Sequence, residues 1–332
     1  MLDLYFEEKY GSLYEKIEGG LCEVFVFTNE FGKVKHLFIK KEIPISENNG
    51  PYFIITTPYG YGGPVITEYK SGFKKELVRT FQKAFENFCD ENRIVSEFVR
   101  FHPIISNASD FSDCYNLIFR SKTTGTTLSN FDDPVQEEFS KSTKKSIKKA
   151  LKAGVEYKIT VNPSSLSNFK EIYYQTMKRI NANELYFFDD TYFFDCQRYF
   201  GENIILVEAI YNGQIIGSEL HFQYNNIIHT HLSGTVEEFH YLSPVYVMTF
   251  AIVQWGKENG FDIVHSGGGR SDESDDKLYL FKKKFGKNTD FDYFVSYKVW
   301  NEDKYHQLYN AADANIKEDF FPTFVEKNEI KN

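Results

Sequence analysis

The sequence predicts an α/β protein of the α+β kind, with two domains that each contain a mixed, mostly antiparallel sheet flanked by helices. Three observations support this prediction. The chain has 332 residues, which is enough for about two domains of roughly 150 residues. Short β-rich runs and helical segments follow one another in two successive series. The turn signal Asp132-Asp133-Pro134 separates the two series, so we predict domains over residues 1–133 and 134–332.

The first series has the order β-β-β-α-β-β. Alternating or β-rich runs bounded by turn residues predict its strands at 22–27, 34–43, 52–57, 94–101 and 115–120. Apolar residues recur at helical spacing between positions 73 and 88, which predicts a helix there. The first domain therefore resembles a truncated version of the second.

The second series has the order β-α-α-β-β-β-α-β-α-β. Its strongest local signal is Asn212-Gly213, which predicts a tight hairpin between two strands. Ser243 and Pro244 predict the start of a helix, and Gly260 predicts its end. The predicted strands are 155–161, 204–211, 214–224, 227–232, 261–265 and 291–300, and the predicted helices are 166–180, 191–200, 243–260 and 277–285.

The composition excludes several classes of protein. The 38 Lys and Arg residues against 47 Asp and Glu residues give a net charge of −9, which argues against a DNA-binding protein. The four cysteines lie far apart without a C-x-x-C pair, so neither a zinc knuckle nor a disulfide framework is predicted. The first 20 residues lack a basic region followed by an apolar run, so no signal peptide is expected, and no apolar run of 18 residues occurs in the sequence. We therefore expect a cytoplasmic protein with at most peripheral membrane association.

Four stretches of the second half carry a family resemblance. They are the lysine-rich segment 140–155, Leu232-Ser233-Gly234 followed by Leu242-Ser243-Pro244, the segment 261–269, and the segment 280–286 with the sequence Leu-Phe-Lys-Lys-Lys-Phe-Gly. Together with the order of the elements, they resemble the Fem-type aminoacyltransferases of peptidoglycan synthesis and the related BioF2-like domains of the GNAT superfamily. The resemblance implies two tandem GNAT-like (acyl-CoA N-acyltransferase) domains, with the acyl-transfer site in the second.

The resemblance also implies an activity. An N-acyltransferase of this kind would move an acyl or aminoacyl group from an activated ester or thioester to an amine. The acceptor would be a cell-wall precursor, a nucleotide sugar or another small molecule, and the donor would be aminoacyl-tRNA or an acyl-CoA such as acetyl-CoA. Neither a metal nor a tightly bound cofactor is expected, because the reaction needs only a neutral amine and a stabilised oxyanion. A CoA-dependent N-acetyltransferase for a small amine or amino sugar, and a non-catalytic module that binds RNA or a partner, stay open as alternatives.

Two features bear on the donor. The segment between the fourth strand and the next helix lacks a second glycine and carries Glu237 and Glu238, which oppose a diphosphate and weaken the prediction of acyl-CoA.

The lysine-rich segment places like charges in two helical rows, where they repel one another. One interpretation is a solvated face, and the other is a polyanion site for tRNA, a nucleotide-sugar diphosphate or an anionic membrane. The predicted polyanion-binding residues are Lys141, Lys144, Lys145 and Lys148.

Three glycines, Gly267, Gly268 and Gly269, follow a predicted strand and precede Arg270. The spacing matches neither a P-loop nor a dinucleotide-binding fingerprint. A tight strand-to-helix loop is one interpretation. The other is close approach of the backbone to a substrate, with Arg270 paired to its carboxylate or phosphate.

Histidines on two predicted strands are candidate site residues. His229 and His231 lie two apart on one strand and should share a face, where they would line the acceptor cleft or serve a structural role. A metal site there is not predicted, because no carboxylates stand at ligand spacing. His265 ends the next strand and could take a proton from the attacking amine, since imidazole titrates near neutral pH.

Arg179, Tyr186 and Tyr192 flank the aromatic connection between two predicted helices. In GNAT domains the corresponding loop covers the acceptor, so the resemblance implies that these residues face the same site as the histidines.

By the same resemblance, Lys282 in Phe281-Lys282-Lys283-Lys284-Phe285 sits where the acyl carbonyl becomes tetrahedral. Lys282 and His265 are the predicted catalytic residues, and Lys283 and Lys284 are expected to be solvated.

Overall fold

The computed structural model describes residues 2–43, 50–271, 273, 275–311 and 322. Its contacts define two compact units, of which unit 1 comprises Met1–Arg120 and Asp292–Asn332 and unit 2 comprises Ser121–Phe291. These limits differ from the division at residue 133, because strands pair with partners far along the chain. Thr124–Thr127 pairs with a strand at 263–267, and the last strand of the chain pairs with Ile94–Arg100.

The elements follow in an alternating order that confirms the predicted α/β architecture with mostly antiparallel sheets. The described strands are β1 Leu21–Asn29, β2 Gly32–Glu42, β3 Phe53–Thr56, β4 Val65–Tyr69, β5 Ile94–Arg100, β6 Ile118–Thr127, β7 Glu156–Val161, β8 Ile204–Tyr211, β9 Gln214–Tyr224, β10 Ile227–Thr235, β11 Ile263–Gly267 and β12 Asp290–Val299. The described helices are α1 Glu8–Glu18, α2 Lys74–Glu91, α3 Pro134–Glu138, α4 Lys141–Lys152, α5 Ser167–Arg179, α6 Asp190–Phe200, α7 Pro244–Glu258, α8 Lys277–Lys282 and α9 Glu302–Ala311.

Unit 1 contains a sheet with the strand order β1-β2-β3-β5-β12, and β4 pairs with β2. All of these pairs are antiparallel except β3 with β5. The apolar face of α2 packs on this sheet, where Phe81 and Phe85 join Phe38 and Val99 in one buried cluster. The core of unit 1 is therefore largely aromatic.

Unit 2 contains a sheet with the order β6-β11-β10-β9-β8-β7, in which only β10 and β11 run parallel. The long helix α7 covers one face, where Val247 and Ala251 pack with Ile205 and Val207 of β8. The other face carries α5, which approaches Gly234 of β10 so closely that a β-carbon there would meet the α5 backbone. Side chains therefore alternate along β10 between these two helical layers.

Some predicted elements need correction. Helices α1, α3 and α9 and strand β4 were not predicted, and the strand expected at 115–120 lies at Ile118–Thr127. The helix expected at 277–285 ends as an α-helix at Lys282 and continues as a 3-10 turn over Lys283–Phe285. Among the described residues, no helix is both long and apolar enough to cross a membrane.

Candidate active site

Strands β10 and β11 pair over only three residues, and this leaves an opening in the sheet of unit 2. The parallel register runs from Ile227 opposite Ile263 to His229 opposite His265. Beyond that pair, β10 continues to Thr235 alongside β9, and β11 continues to Gly267 alongside β6. The facing edges of β10 and β11 therefore do not bond to each other beyond the two histidines.

His229 and His265 meet at the last paired position of this opening. Their Nδ1 atoms lie 3.4 Å apart with the rings perpendicular, and the Nε2 of His265 lies 3.0 Å from Thr123 Oγ1. Both side chains are buried. Two Nδ1–H groups would repel at this distance, so at most one ring carries a proton on Nδ1 and the other ring is neutral. A neutral imidazole at this position can accept a proton.

His231 contacts the helical layer formed by α5 and α6. A β-bulge lies between Thr230 and Leu232, and the His231 ring reaches Tyr192 of α6, with 2.6 Å between Nε2 and the phenol oxygen. It also packs against Phe222, the register partner of His229, so the contacts place His229 and His231 on one face. Burial and the neighbouring His229 and His221 lower the pKa of His231 to about 3. His231 is therefore neutral near pH 7 and serves as a hydrogen-bonding partner of Tyr192 rather than as an acid.

The two other residues expected at the acceptor cleft are placed differently. Arg179 donates to the carbonyl of Thr235 at 2.9 Å and to its hydroxyl at 3.1 Å, so its guanidinium binds the end of β10. Tyr186 is an exposed residue of the α5–α6 connection, and its carbonyl accepts a hydrogen bond from Tyr173. The structure thus brings Tyr192 and His231 into direct contact. The guanidinium of Arg179 contacts the same strand at Thr235, four residues after His231.

The carboxylate of Asp276 binds the backbone of the glycine loop that follows β11. Asp276 accepts hydrogen bonds from the N–H groups of Arg270 and Ser271, and it caps α8 by accepting from the N–H of Tyr279. These donors lower the pKa of Asp276 to about 2. Gly269 has no room for a β-carbon beside this carboxylate. Position 269 therefore needs glycine so that the backbone can lie against the Asp276 carboxylate. The side chain of Arg270 extends into solvent.

Gly267 and Gly268 contribute their backbone conformation. Gly267 has a φ of 75°, a left-handed value that favours glycine. The carbonyl of Gly268 accepts a hydrogen bond from Lys282 Nζ at 2.7 Å. Burial lowers the pKa of Lys282 to about 8, against the opposing effect of Asp276. The ammonium is thus held on a loop that begins two residues after His265.

The neighbouring lysines are not equivalent. Lys283 donates to the carbonyls of Gly286 and Thr289 and pairs with Asp290 at 2.7 Å, so the expectation that it is solvated is wrong. Lys284 is exposed and lies over the ring of Phe281. Phe281 and Phe285 touch each other and Tyr246, which anchors this short helix.

Helix α4 presents the predicted basic face. Lys141, Lys145 and Lys148 are exposed, whereas Lys144 donates to the carbonyl and the side chain of Gln136. On the other side of the helix Ile147 is buried, whereas Leu151 is 36% exposed. The structure therefore leaves three of the four named lysines available to an anion and gives the fourth a partner within unit 2.

Two residues of the site were missed by sequence reasoning. Asp276 precedes the helix at 277–285, and an aspartate in that position is a recognisable cap signal. Thr123 carries no local signal, because only the pairing of β6 with β11 brings it to His265.

Comparison with known proteins assigns the domain that contains this site. Residues 137–277 match the family described as "Acetyltransferase (GNAT) domain". The matched segment includes His229, His231, His265 and the glycine loop, and it ends before Lys282. Residues 137–277 therefore form a GNAT-type acyltransferase domain. A comparison with curated proteins gives no match for this acyltransferase.

Solved structures show how far the fold extends. FemX has a TM-score of 0.69 at 13% identity, covering 92% of this chain and 94% of its own. L-PGS from Bacillus licheniformis has a TM-score of 0.54 at 14% identity over 88% and 91% of the two chains. The C-terminal domain of a protein assigned as a lysylphosphatidylglycerol synthetase from Agrobacterium fabrum has a TM-score of 0.52 at 12% identity over 90% and 92%. The acyltransferase therefore has the Fem-type tandem fold over nearly its whole length.

Proposed function

We propose that this acyltransferase moves an acyl or aminoacyl group from an activated ester or thioester to an amine of a cell-wall precursor or surface sugar. The observation that carries the proposal is the placement of Lys282, whose ammonium is fixed on the Gly268 carbonyl beside the β10–β11 opening. The fold of FemX and the motifs of segments 140–155, 232–244, 261–269 and 280–286 support the choice of acceptor.

The chemistry follows from the two candidate catalytic groups. The acceptor amine attacks the donor carbonyl, a carbon–nitrogen bond forms, and the carbonyl oxygen becomes an oxyanion. Lys282 stabilises that oxyanion, and a neutral His265 takes the proton that the amine releases. The intermediate then expels the alcohol or thiol of the donor, which recovers the proton. No metal takes part in these steps.

Within this proposal the donor is aminoacyl-tRNA or acyl-CoA. The exposed lysines of α4 favour a polyanionic donor such as tRNA, because phosphate neutralisation drives that kind of binding. A CoA-dependent N-acetyltransferase acting on a small amine or amino sugar is the second candidate, and the acetyltransferase description of residues 137–277 favours it. A cytoplasmic location belongs to the proposal, since all of these donors are cytoplasmic.

A transfer assay with matched variants tests the proposal. Purified protein is incubated with labelled aminoacyl-tRNA or acetyl-CoA, and UDP-muramyl-pentapeptide or an amino sugar serves as acceptor. Lys282→Ala should lower kcat by about 10²–10³, the effect typical of one lost oxyanion contact, while the melting temperature changes little. Lys284→Ala is the matched control, because its ammonium is exposed. Equal and small effects of the two substitutions would refute the assignment of Lys282.

A further inference from the structure

A cavity of about 300 Å³ lies in unit 2, away from the β10–β11 opening. It is open to solvent and is lined by the outer strands β7 and β8 and by the start of α5, and none of the predicted site residues lines it. Its polar lining includes Glu208, Lys158, Ser165 and Asn168, and its apolar wall includes Phe169 and Leu206. This volume is at the lower end of the range for small-molecule pockets, roughly 300–1,000 Å³.

The carboxylate of Glu208 is the unusual feature of this cavity. Its side chain is only 7% exposed, and among the described residues nothing donates a hydrogen bond to it or forms an ion pair with it. Its register partner on β9, Ser218, has a buried hydroxyl that also lacks a partner. An unpaired buried carboxylate is costly. The cavity therefore presents a strong acceptor that is suited to a cationic donor from a ligand.

The same cavity also carries positive charge, on the strand next to Glu208 and at a helix start. Lys158 is the register partner of Glu208 on β7, and its exposed ammonium makes no ion pair with that carboxylate. Helix α5 begins at Ser167 beside the cavity. Ser165 Oγ accepts the Ser167 N–H at 3.1 Å, and the cap residue Leu166 provides no side-chain acceptor for the N–H groups that follow. The first N–H groups of a helix lack partners within the helix and favour an anion. The lining thus offers a carboxylate at one point and positive charge at another.

We propose that this cavity binds a free α-amino acid as a zwitterion. The ammonium group of the ligand would donate to Glu208, its carboxylate would face Lys158 and the start of α5, and an apolar side chain would pack against Phe169 and Leu206. This site is distinct from the acyl-transfer site and does not depend on the proposed transfer reaction, because it is defined by binding alone.

Isothermal titration calorimetry with three probes tests the proposal on the wild-type protein. L-leucine carries both charges, N-acetyl-L-leucine lacks the ammonium, and L-leucinamide lacks the carboxylate. L-leucine should bind, and each blocked analogue should bind at least about tenfold more weakly, since each loses a charge-assisted interaction. Equal affinity for L-leucine and N-acetyl-L-leucine would overturn the proposal, as would failure of L-leucine, L-alanine and L-phenylalanine to bind at up to about 10 mM.

Two variants locate the binding. Glu208→Gln should weaken L-leucine at least about tenfold, whereas Glu171→Gln, which alters an exposed carboxylate on α5, should leave it unchanged. Unchanged affinity in a folded Glu208→Gln protein would overturn the assignment. If Glu208→Gln does not fold, the comparison of blocked and free probes on the wild-type protein still decides. Binding without any acyl transfer would support this site and count only against the proposed function.

Discussion

Among the described strands, each unit contains one parallel pair, and the two pairs differ in a way that relates to the proposed function. In unit 1, β3 pairs with β5 from Phe53 to its last residue, Thr56, with one register shift between Phe53 and Ile54. In unit 2, the register of β10 with β11 stops at His229, although β10 continues for six more residues to Thr235. In unit 1 the pairing extends along the full length of β3, whereas in unit 2 the pairing of β10 and β11 ends at the two histidines. The opening in unit 2 coincides with the proposed acyl-transfer site.

Two buried charged groups near these strand pairs differ in how many hydrogen-bond partners they have. In unit 1, Glu97 of β5 is buried and fully engaged, since its carboxylate lies 2.6 Å from His36 Nε2 and accepts from Tyr115 and Trp300 at 3.1 and 3.0 Å. In unit 2, Lys282 makes one hydrogen bond, to Gly268, and an ammonium group has three donors. A buried carboxylate with three partners stabilises the core. An ammonium with donors to spare can bind a developing charge.

The largest expected effect comes from replacing one buried histidine in each unit by asparagine. His265→Asn should lower kcat by about 10²–10⁴, the usual contribution of general acid–base catalysis. His36→Asn should leave kcat unchanged and lower the free energy of unfolding by about 1–3 kcal/mol, because the buried Glu97 carboxylate loses a close hydrogen-bond partner. Steady-state rates and denaturant unfolding measure the two effects. A His265→Asn protein with lower stability and unchanged kcat would contradict the proposed functional difference between the units.

The titration of Lys282 provides the second prediction. Its pKa is lowered to about 8, so the cation is present below pH 8 and is lost as the pH rises through that value. The transfer rate of the wild type, relative to Lys282→Arg, should fall about tenfold between pH 7 and pH 9, since arginine stays charged there. Parallel pH–rate profiles measure this ratio. A constant ratio would mean that the charge of Lys282 does not matter.

A third prediction concerns the loop that holds Lys282. Asp276→Ala removes the cap of α8 and should lower the free energy of unfolding by about 1 kcal/mol, and it should also slow transfer several-fold because Gly268 and Lys282 lose their fixed geometry. Asp133→Ala removes the cap of α3, where the side chain accepts from Gln136 N–H at 3.0 Å, and should change stability alone.

Asp276→Asn separates position from charge, because an asparagine oxygen still accepts the N–H groups of the loop. It should restore most of the transfer rate. Slow transfer in Asp276→Asn at unchanged stability would show that the negative charge acts directly and not through position.

Local signals explain which parts of the fold could be predicted. The hairpin of β8 and β9 has the predicted limits, because Asn212 and Gly213 both adopt the left-handed backbone that its turn requires. Helix α1 was not predicted, although its buried residues Tyr10, Leu13 and Tyr14 recur at helical spacing. Strand β4 has five residues, too few to show a clear period.

The site was less predictable because it depends on pairing between distant segments. His265 and Gly267 follow from the strand–loop pattern of one segment. Thr123 reaches His265 only because β6 pairs with β11. The bulge that accompanies the contact of His231 with Tyr192 is likewise a property of the β9–β10 pair. Sequence spacing therefore identifies the candidate residues, and the sheet register decides which of them meet.

The smallest expected effect compares the exposed lysines of helices α4 and α2. Lys145→Glu combined with Lys148→Glu should weaken binding of total tRNA several-fold at low salt. It should also flatten the dependence of log affinity on log salt concentration by roughly 1.4–1.8, the value for two lost phosphate contacts. Lys75→Glu combined with Lys83→Glu makes the same charge change on exposed positions of α2 and should alter neither quantity. Filter binding at several salt concentrations measures both. Equal losses in the two double variants would mean that net charge alone attracts the RNA, and no loss in either would leave α4 as a solvated face.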